Sequence, residues 1–157
     1  MEKVEMNKDI KLSEHFTLGE LCKTSHQTAD GNIPSRVVIE NLRNLCENWL
    51  EDLRYSYNTL YPDDKPIIIT SGYRSPEVNR LAGGSATSNH LTGCAVDIHV
   101  SGFEQAIRYA SILLDIAEGT KRDYDELFIE RNKAGSHWIH FAVRPTGNRR
   151  KTDFLKV

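Results

Sequence analysis

The segment Ser88-Asn-His-Leu-Thr-Gly-Cys-Ala-Val-Asp97, followed by His137-Trp-Ile-His-Phe141, decides how this chain is interpreted. His90 lies in a polar loop, Asp97 lies seven positions later, and His140 lies in a distant apolar segment. Two imidazoles and one carboxylate can supply three zinc ligands and leave the fourth tetrahedral position open for water. That arrangement is typical of catalytic zinc rather than of closed structural zinc.

The strand positions of Asp97 and His140 are the main evidence for a metal site. Asp97 lies between Val96 and Ile98, and His140 lies at the centre of the apolar run Trp138–Val143. A lone carboxylate on a half-buried strand is unfavourable unless it is paired or bound to a cation. Taken singly, His90 is an ordinary polar loop histidine and Asp97 an ordinary salt-bridge partner. Taken together, the three residues predict a metal site.

Composition limits the possible partners. With 157 residues, 39% hydrophobic and 27% charged, the chain is typical of one globular domain. A net charge of −2 gives no basis for nucleic-acid binding, which needs clustered positive charge. The late cations Arg144, Arg149, Arg150 and Lys151 are predicted to lie in a solvated tail. The sequence specifies no oligomeric state, and a monomer is the expectation.

The sequence also predicts where the chain is made. No apolar stretch approaches the ~20 residues that span a bilayer. The segment Met1–Leu12 lacks the apolar core of a signal peptide. Three widely spaced cysteines, Cys22, Cys46 and Cys94, form no disulfide or zinc-ribbon pattern. We therefore expect synthesis in a reducing cytoplasm, with release by another route if the protein acts outside.

The order of elements predicts an α+β fold, a small antiparallel sheet packed with helices. Ser35 can cap a long amphipathic helix, Ser75-Pro76 can begin a short one, and Ser101 with Glu104 has capping-box spacing. Strands are predicted over 67–70, 95–100, 126–130 and 138–143. We expect an N-terminal extension over 1–11, a single globular domain with the predicted zinc site over 12–145, and a C-terminal tail over 146–157.

Three separated blocks carry a family resemblance: Ser71-Gly-Tyr-Arg-Ser-Pro76, Ser88 to Ile98, and Trp138-Ile-His140. Their order and spacing resemble the zinc D-alanyl-D-alanine carboxypeptidase family, which includes L-alanyl-D-glutamate endolysins and shares the hedgehog/DD-peptidase fold. The opening Phe16–Leu21 and the helix near Val37 are similar to a branch often found in phages and prophages. The resemblance runs from about Leu12 to Val143.

The resemblance implies roles for individual residues. His90, Asp97 and His140 would be the zinc ligands. Arg74 would face the substrate, where a guanidinium can pair with a carboxylate or stabilise an oxyanion. Tyr73 would line the same wall. Ser88 would support the site loop through a hydrogen bond, or serve only as a turn residue.

The general base departs from the family pattern. Many members place Glu or Asp three residues before the last zinc histidine, and His137 occupies that position here. A histidine suits proton transfer near neutral pH. Regular strand alternation would point His137 and His140 to opposite faces, unless a turn at Gly135-Ser136 relieves the conflict. Glu130, at the end of the preceding strand, is the other candidate; the sequence slightly favours His137.

The resulting prediction is zinc-dependent hydrolysis of an amide bond in peptidoglycan stem peptides. The resemblance slightly favours D-Ala-D-Ala carboxypeptidase activity over L-Ala-D-Glu endopeptidase activity. The protein would act at the cell wall after phage-type export or lysis. The alternative is a zinc-stabilised peptidoglycan-binding or virion-structural module with little or no hydrolysis.

Overall fold

The computed structural model describes residues 6–62 and 64–157, so residues 1–5 of the predicted N-terminal extension lie outside the described part. Helices α1 to α5 span Leu18–Leu21, Arg36–Leu45, Glu51–Leu60, Pro76–Leu81 and Phe103–Thr120. Strands β1 to β7 span Lys11–Ser13, Phe16–Thr17, Ile69–Ser71, Ala95–His99, Glu126–Arg131, His137–Ala142 and Lys151–Lys156. A π-helical segment, Cys46–Leu50, joins α2 to α3, and a 3₁₀ turn, Asn89–Thr92, precedes β4. The predicted α+β class is confirmed.

Helix starts follow the predicted caps at two of three places. The Ser35 and Ser75 hydroxyls accept hydrogen bonds from backbone N–H groups three residues on, which satisfies donors that a helix start leaves unpaired. The capping box over Ser101 and Glu104 is wrong. Helix α5 begins after Gly102 without a side-chain cap. The Ser101 N–H instead donates to Gln105 Oε1 at 2.8 Å.

A five-stranded sheet in the order β3-β4-β6-β5-β7 positions the site. Strands β4 and β6 pair antiparallel in unbroken register over five residue pairs. Ile98, Ile139 and Phe141 on one face are buried, and the Trp49 ring packs 5.0 Å from the Phe141 ring. Because side chains alternate along a strand, the residues between them point to the opposite, polar face. The polar face carries the candidate site.

The segment 146–157, expected as a tail, contains a strand of the main sheet. Residues Lys151–Lys156 form β7, which pairs parallel with β5 as the edge strand of the sheet. Arg149 fixes the entry into β7, because its Nε and Nη2 donate to Asp125 Oδ1 and Oδ2 at 2.9 and 2.7 Å. Asp125 is fully buried. A cation expected to be solvated therefore neutralises a buried carboxylate.

No helix in the described part of the chain has the length and hydrophobicity required to cross a membrane.

The Asp125–Arg149 pair generates a stability prediction. Burial alone would raise the Asp125 pKa, but hydrogen bonds from Arg149 and Asn89 outweigh it and hold the pKa at about 2, below the ordinary 3.8. A depressed pKa stabilises the fold above the unfolded-state value, and this stabilisation disappears as pH falls through the folded-state value. We expect Asp125→Asn to lower the free energy of unfolding by about 2 kcal/mol at pH 7.

Urea denaturation at pH 7, 4 and 3 would measure this difference, which should shrink as the pH falls below the ordinary aspartate range. The matched control is Asp123→Asn, which removes an exposed partner of Arg150. That variant should cost less than about 1 kcal/mol. A deficit in Asp125→Asn that is the same at all three pH values would contradict the account.

Candidate metal centre

Strand pairing and one turn bring His90, Asp97 and His140 together. Asp97 and His140 are directly opposite each other in the β4–β6 ladder, and His90 comes from the 3₁₀ turn just before β4. Asp97 Oδ1 lies 3.3 Å from His90 Nε2 and 3.1 Å from His140 Nδ1. One ligand atom from each residue lies within 4.8 Å of the others. The three predicted ligands therefore form one cluster.

The donor atoms of this cluster fit zinc. Two atoms bonded tetrahedrally to one zinc at 2.0–2.1 Å lie about 3.3 Å apart, close to the observed separations. His90 Nδ1 lies 2.7 Å from the Gly72 carbonyl oxygen, to which it donates. The neutral imidazole then has no proton on Nε2, so a lone pair faces a carboxylate oxygen. Two acceptors in this position need a proton or a metal ion between them.

A second carboxylate orients His140. Glu126 Oε1 accepts from His140 Nε2 at 3.0 Å, which leaves Nδ1 directed at Asp97. A carboxylate behind a metal-binding histidine fixes its tautomer and ring orientation. The Asn89 amide donates to Glu126 Oε1 at 2.6 Å and to Asp125 Oδ2 at 2.8 Å. Sequence reasoning missed Glu126 and Asn89, since their roles depend on the β5–β6 register.

The charges in the cluster support one another. Burial opposes ionisation of Asp97, but the His90 charge and the His140 hydrogen bond outweigh it, so its pKa lies well below the ordinary range. Burial also opposes the His140 charge, yet the hydrogen bonds to Asp97 and Glu126 raise the His140 pKa to about 9. A proton and a metal ion therefore compete for the same place, and metal binding must displace a proton from His140.

Two glycines allow close packing of the backbone near His90. Gly93 has φ +72°, and a Cβ there would lie 2.8 Å from the Val38 carbonyl oxygen. A side chain at Gly72 would collide with the Leu21 backbone carbonyl. The Ser88 hydroxyl accepts from the His90 N–H at 3.2 Å, which is the supporting hydrogen bond that the sequence suggested. The backbone at Gly72 and at Gly93 therefore approaches a neighbouring segment where only glycine fits.

Arg74 lies beside the cluster, whereas Tyr73 does not. Arg74 Nη2 is 3.3 Å from Asp97 Oδ2, and its Nε donates to Ser71 Oγ at 3.1 Å. The guanidinium thus holds the Asp97 oxygen that faces away from the two histidines. Tyr73, expected on the same wall, packs in the hydrophobic core and is 8% exposed.

The two candidate bases lie on opposite faces of the sheet. Strand β6 already begins at His137, so the Gly135-Ser136 turn does not reverse the alternation. The His137 ring packs 5.1 Å from the Phe103 ring of α5, on the face away from His140. Glu130 points to the same face as Glu126 and lines a cleft with His140. His137, which the sequence slightly favoured, therefore lies on the face away from the cluster, and Glu130 lies on the same face as His140.

Burial raises the Glu130 pKa above its ordinary value; the His140 charge opposes this rise and the Asp97 charge adds to it. The cleft has a volume of about 570 Å³. Its lining is predominantly polar and comprises Ser85, Thr87, Ser88, Asn89, Glu126, Phe128, Glu130, His140, Arg144, Arg149 and Lys151.

Cys94 is buried, and burial raises its thiol pKa, which opposes thiolate chemistry.

The cluster generates a metal-binding prediction. We expect the protein to bind one equivalent of zinc and His140→Ala to lose it, because two ligands remain. His137→Ala is the matched control, since it removes an imidazole three positions away on the opposite face. Elemental analysis after dialysis, with calorimetric titration of the metal-free proteins, measures both. Full zinc occupancy in His140→Ala would refute the ligand assignment.

Comparison with known families gives one family match. A family model described as Peptidase M15 matches residues 14–127. The match includes His90 and Asp97 and ends within β5, before His140. No curated protein matches the chain. With most of its length matched, and with a zinc-compatible cluster in place, the chain belongs to the peptidase M15 family of zinc metallopeptidases.

Proposed function

We propose that this protein is a zinc-dependent hydrolase of amide bonds in peptidoglycan stem peptides. The observation that carries the proposal is the shared face of the sheet: His140 of the metal cluster and the Glu130 carboxylate line one open cleft. Zinc, when bound, supplies a Lewis acid that polarises a carbonyl and acidifies water. The remaining roles fall to side chains of the chain itself.

Glu130 is the proposed general base. Its carboxylate takes a proton from the attacking water as the water oxygen bonds to the scissile carbonyl carbon. It then returns that proton to the leaving nitrogen as the C–N bond breaks. A carboxyl whose pKa is raised by burial is better matched to such transfer near neutral pH than an ordinary glutamate.

Arg74 is the proposed positioning group on the other side of Asp97. Its Nε and Nη2 are occupied by Ser71 and Asp97, which fixes the plane of the guanidinium. The remaining donors can meet a substrate carbonyl or a developing oxyanion. This role follows the family resemblance, and the contact between Arg74 and Asp97 supports it.

The family resemblance supplies the substrate class. It favours D-Ala-D-Ala carboxypeptidase activity slightly over L-Ala-D-Glu endopeptidase activity, in a monomer of phage or prophage type. Such a protein would be made in the cytoplasm and would act on the cell wall after export or lysis. The binding-module alternative drew its support from the missing acid at position 137, and Glu130 in the cleft offers another acid for the hydrolase.

Mass spectrometry of muropeptides tests the proposal. Zinc-loaded protein would be incubated with disaccharide pentapeptides, and the products would be compared with those of metal-free protein. Loss of one D-Ala identifies the carboxypeptidase, and cleavage between L-Ala and D-Glu identifies the endopeptidase. Unchanged masses would overturn the hydrolase assignment and favour the binding module.

The base assignment generates a kinetic prediction. Glu130→Gln should keep zinc and lose ~10²–10⁴-fold in kcat, the usual contribution of general-base catalysis. His137→Ala should stay within about twofold of the wild type, since its ring packs on α5 away from the cleft. Steady-state kinetics on the muropeptide that is cleaved, with zinc content measured for each variant, checks this. The reverse pattern would return the base role to His137.

A further inference from the structure

Three cations form one side of the cleft that contains His140. We call Arg144, Arg149 and Lys151 the cationic wall; they line the same cleft as Glu126, Glu130 and His140. Neither the metal cluster nor the general base uses them. Their position beside the reaction centre raises the question of what they bind.

The two arginines are held rigidly and keep unused donors. Arg149 donates hydrogen bonds from Nε and Nη2 to the Asp125 carboxylate. Arg144 Nε lies 3.0 Å from Asn89 Oδ1 and 3.2 Å from Asp125 Oδ2. Their side chains are nevertheless 34% and 39% exposed. Within the described part of the chain, Nη1 of each arginine forms no hydrogen bond. A pre-positioned guanidinium with free N–H groups suits a planar carboxylate.

The wall carries more positive charge than its neighbours neutralise. Arg144 and Arg149 share the buried carboxylate of Asp125, and Arg149 also pairs with Glu126 Oε2. Lys151 is exposed, and no described residue forms an ion pair with its ammonium group. Glu126 already accepts hydrogen bonds from His140 and Asn89. Exposed Asp153 lies on the same face of β7 as Lys151. The three cations therefore have two carboxylates within ion-pair distance, Asp125 and Glu126, and Glu126 also pairs with His140.

The distance to the metal cluster limits which substrate group can reach the wall. Arg149 Nη2 is 3.7 Å from Glu126 Oε2, and the other oxygen of that carboxylate contacts His140 Nε2 at 3.0 Å. A single carboxylate therefore separates the guanidinium from a metal ligand. An extended peptide advances 3.3–3.6 Å per residue. The group bound at the wall must lie within one or two residues of the scissile amide.

We propose that the cationic wall is a subsite for a carboxylate of the substrate within one or two residues of the bond that is cut. This inference rests on the proposed function and adds a specificity determinant to it. In a stem pentapeptide, two groups satisfy the distance: the C-terminal carboxylate beside the D-Ala-D-Ala bond, and the α-carboxylate of D-Glu beside the L-Ala-D-Glu bond. The shared chemistry is a carboxylate, and experiment separates the two sources.

The test uses three synthetic stem pentapeptides: the free acid, its C-terminal amide, and its D-Glu α-amide. Calorimetry with zinc-loaded Glu130→Gln protein measures affinity without turnover, and kcat/KM is measured with the wild type. We expect one of the two amides to bind about tenfold more weakly than the free acid and to be cleaved correspondingly more slowly. The weakened amide identifies the carboxylate that the wall binds.

Variants attribute the discrimination to the wall. Affinity is measured for each wall variant combined with Glu130→Gln, and kcat/KM for each wall variant alone. Lys151→Gln should reduce the preference for the free acid over the weakened amide about threefold, and Arg144→Gln should reduce it further. Lys156→Gln is the matched control, because it removes the same charge from the same strand on the opposite face, and it should leave the preference unchanged. Neither Lys151→Gln nor Arg144→Gln removes the two Arg149–Asp125 hydrogen bonds that fix the entry into β7.

The outcomes are distinct. Equal affinity for all three peptides, or an acid preference unchanged in Lys151→Gln and Arg144→Gln, would overturn the subsite. Turnover without discrimination would overturn the subsite alone and leave the hydrolase assignment standing. Absence of both binding and turnover would overturn the two together.

Discussion

The structure depends on the placement of Asp97 opposite His140 across the β4–β6 ladder. A carboxylate and an imidazole on neighbouring strands of a half-buried sheet are costly to desolvate unless they meet each other or a shared cation. Unbroken register puts Asp97 Oδ1 3.1 Å from His140 Nδ1 and turns both side chains away from the hydrophobic core. A shift of one residue in either strand would send one of them into that core. The fold and the site are therefore specified by the same ladder.

Around this pair, hydrogen bonds extend the constraint to the C-terminal strand. His140 is oriented by Glu126, Glu126 is held by Asn89, and Asn89 also donates to the buried Asp125 that Arg149 neutralises. The chain of contacts ties the metal cluster to the entry of β7. It also explains why a polar residue beside His90 is buried: Asn89 satisfies two carboxylates at once, and neither would tolerate burial unpaired.

The sequence predicts the parts of the molecule that rest on local patterns. Alternation in Ala95–Val100, the serine caps at Ser35 and Ser75, and the awkward polar positions of Asp97 and His140 all predict features that the structure contains. It fails where the outcome depends on pairing between distant segments. The polar strand Lys151–Lys156 has no hydrophobic alternation, so only its parallel pairing with β5 reveals it. His137 occupies the position where many family members have the general base, but strand alternation packs its ring against Phe103 of α5, whereas Glu130 lines the cleft.

X-ray absorption at the zinc edge tests the central claim most directly, because it reports the atoms bound to the metal. The account predicts imidazole scattering from two histidines with nitrogen and oxygen neighbours at about 2.0–2.1 Å, and no sulfur. Replacement of His90 should remove one imidazole contribution. A sulfur shell at about 2.3 Å, which would indicate a cysteine ligand, or a spectrum unchanged by that replacement would contradict the assignment of His90, Asp97 and His140 as the zinc centre.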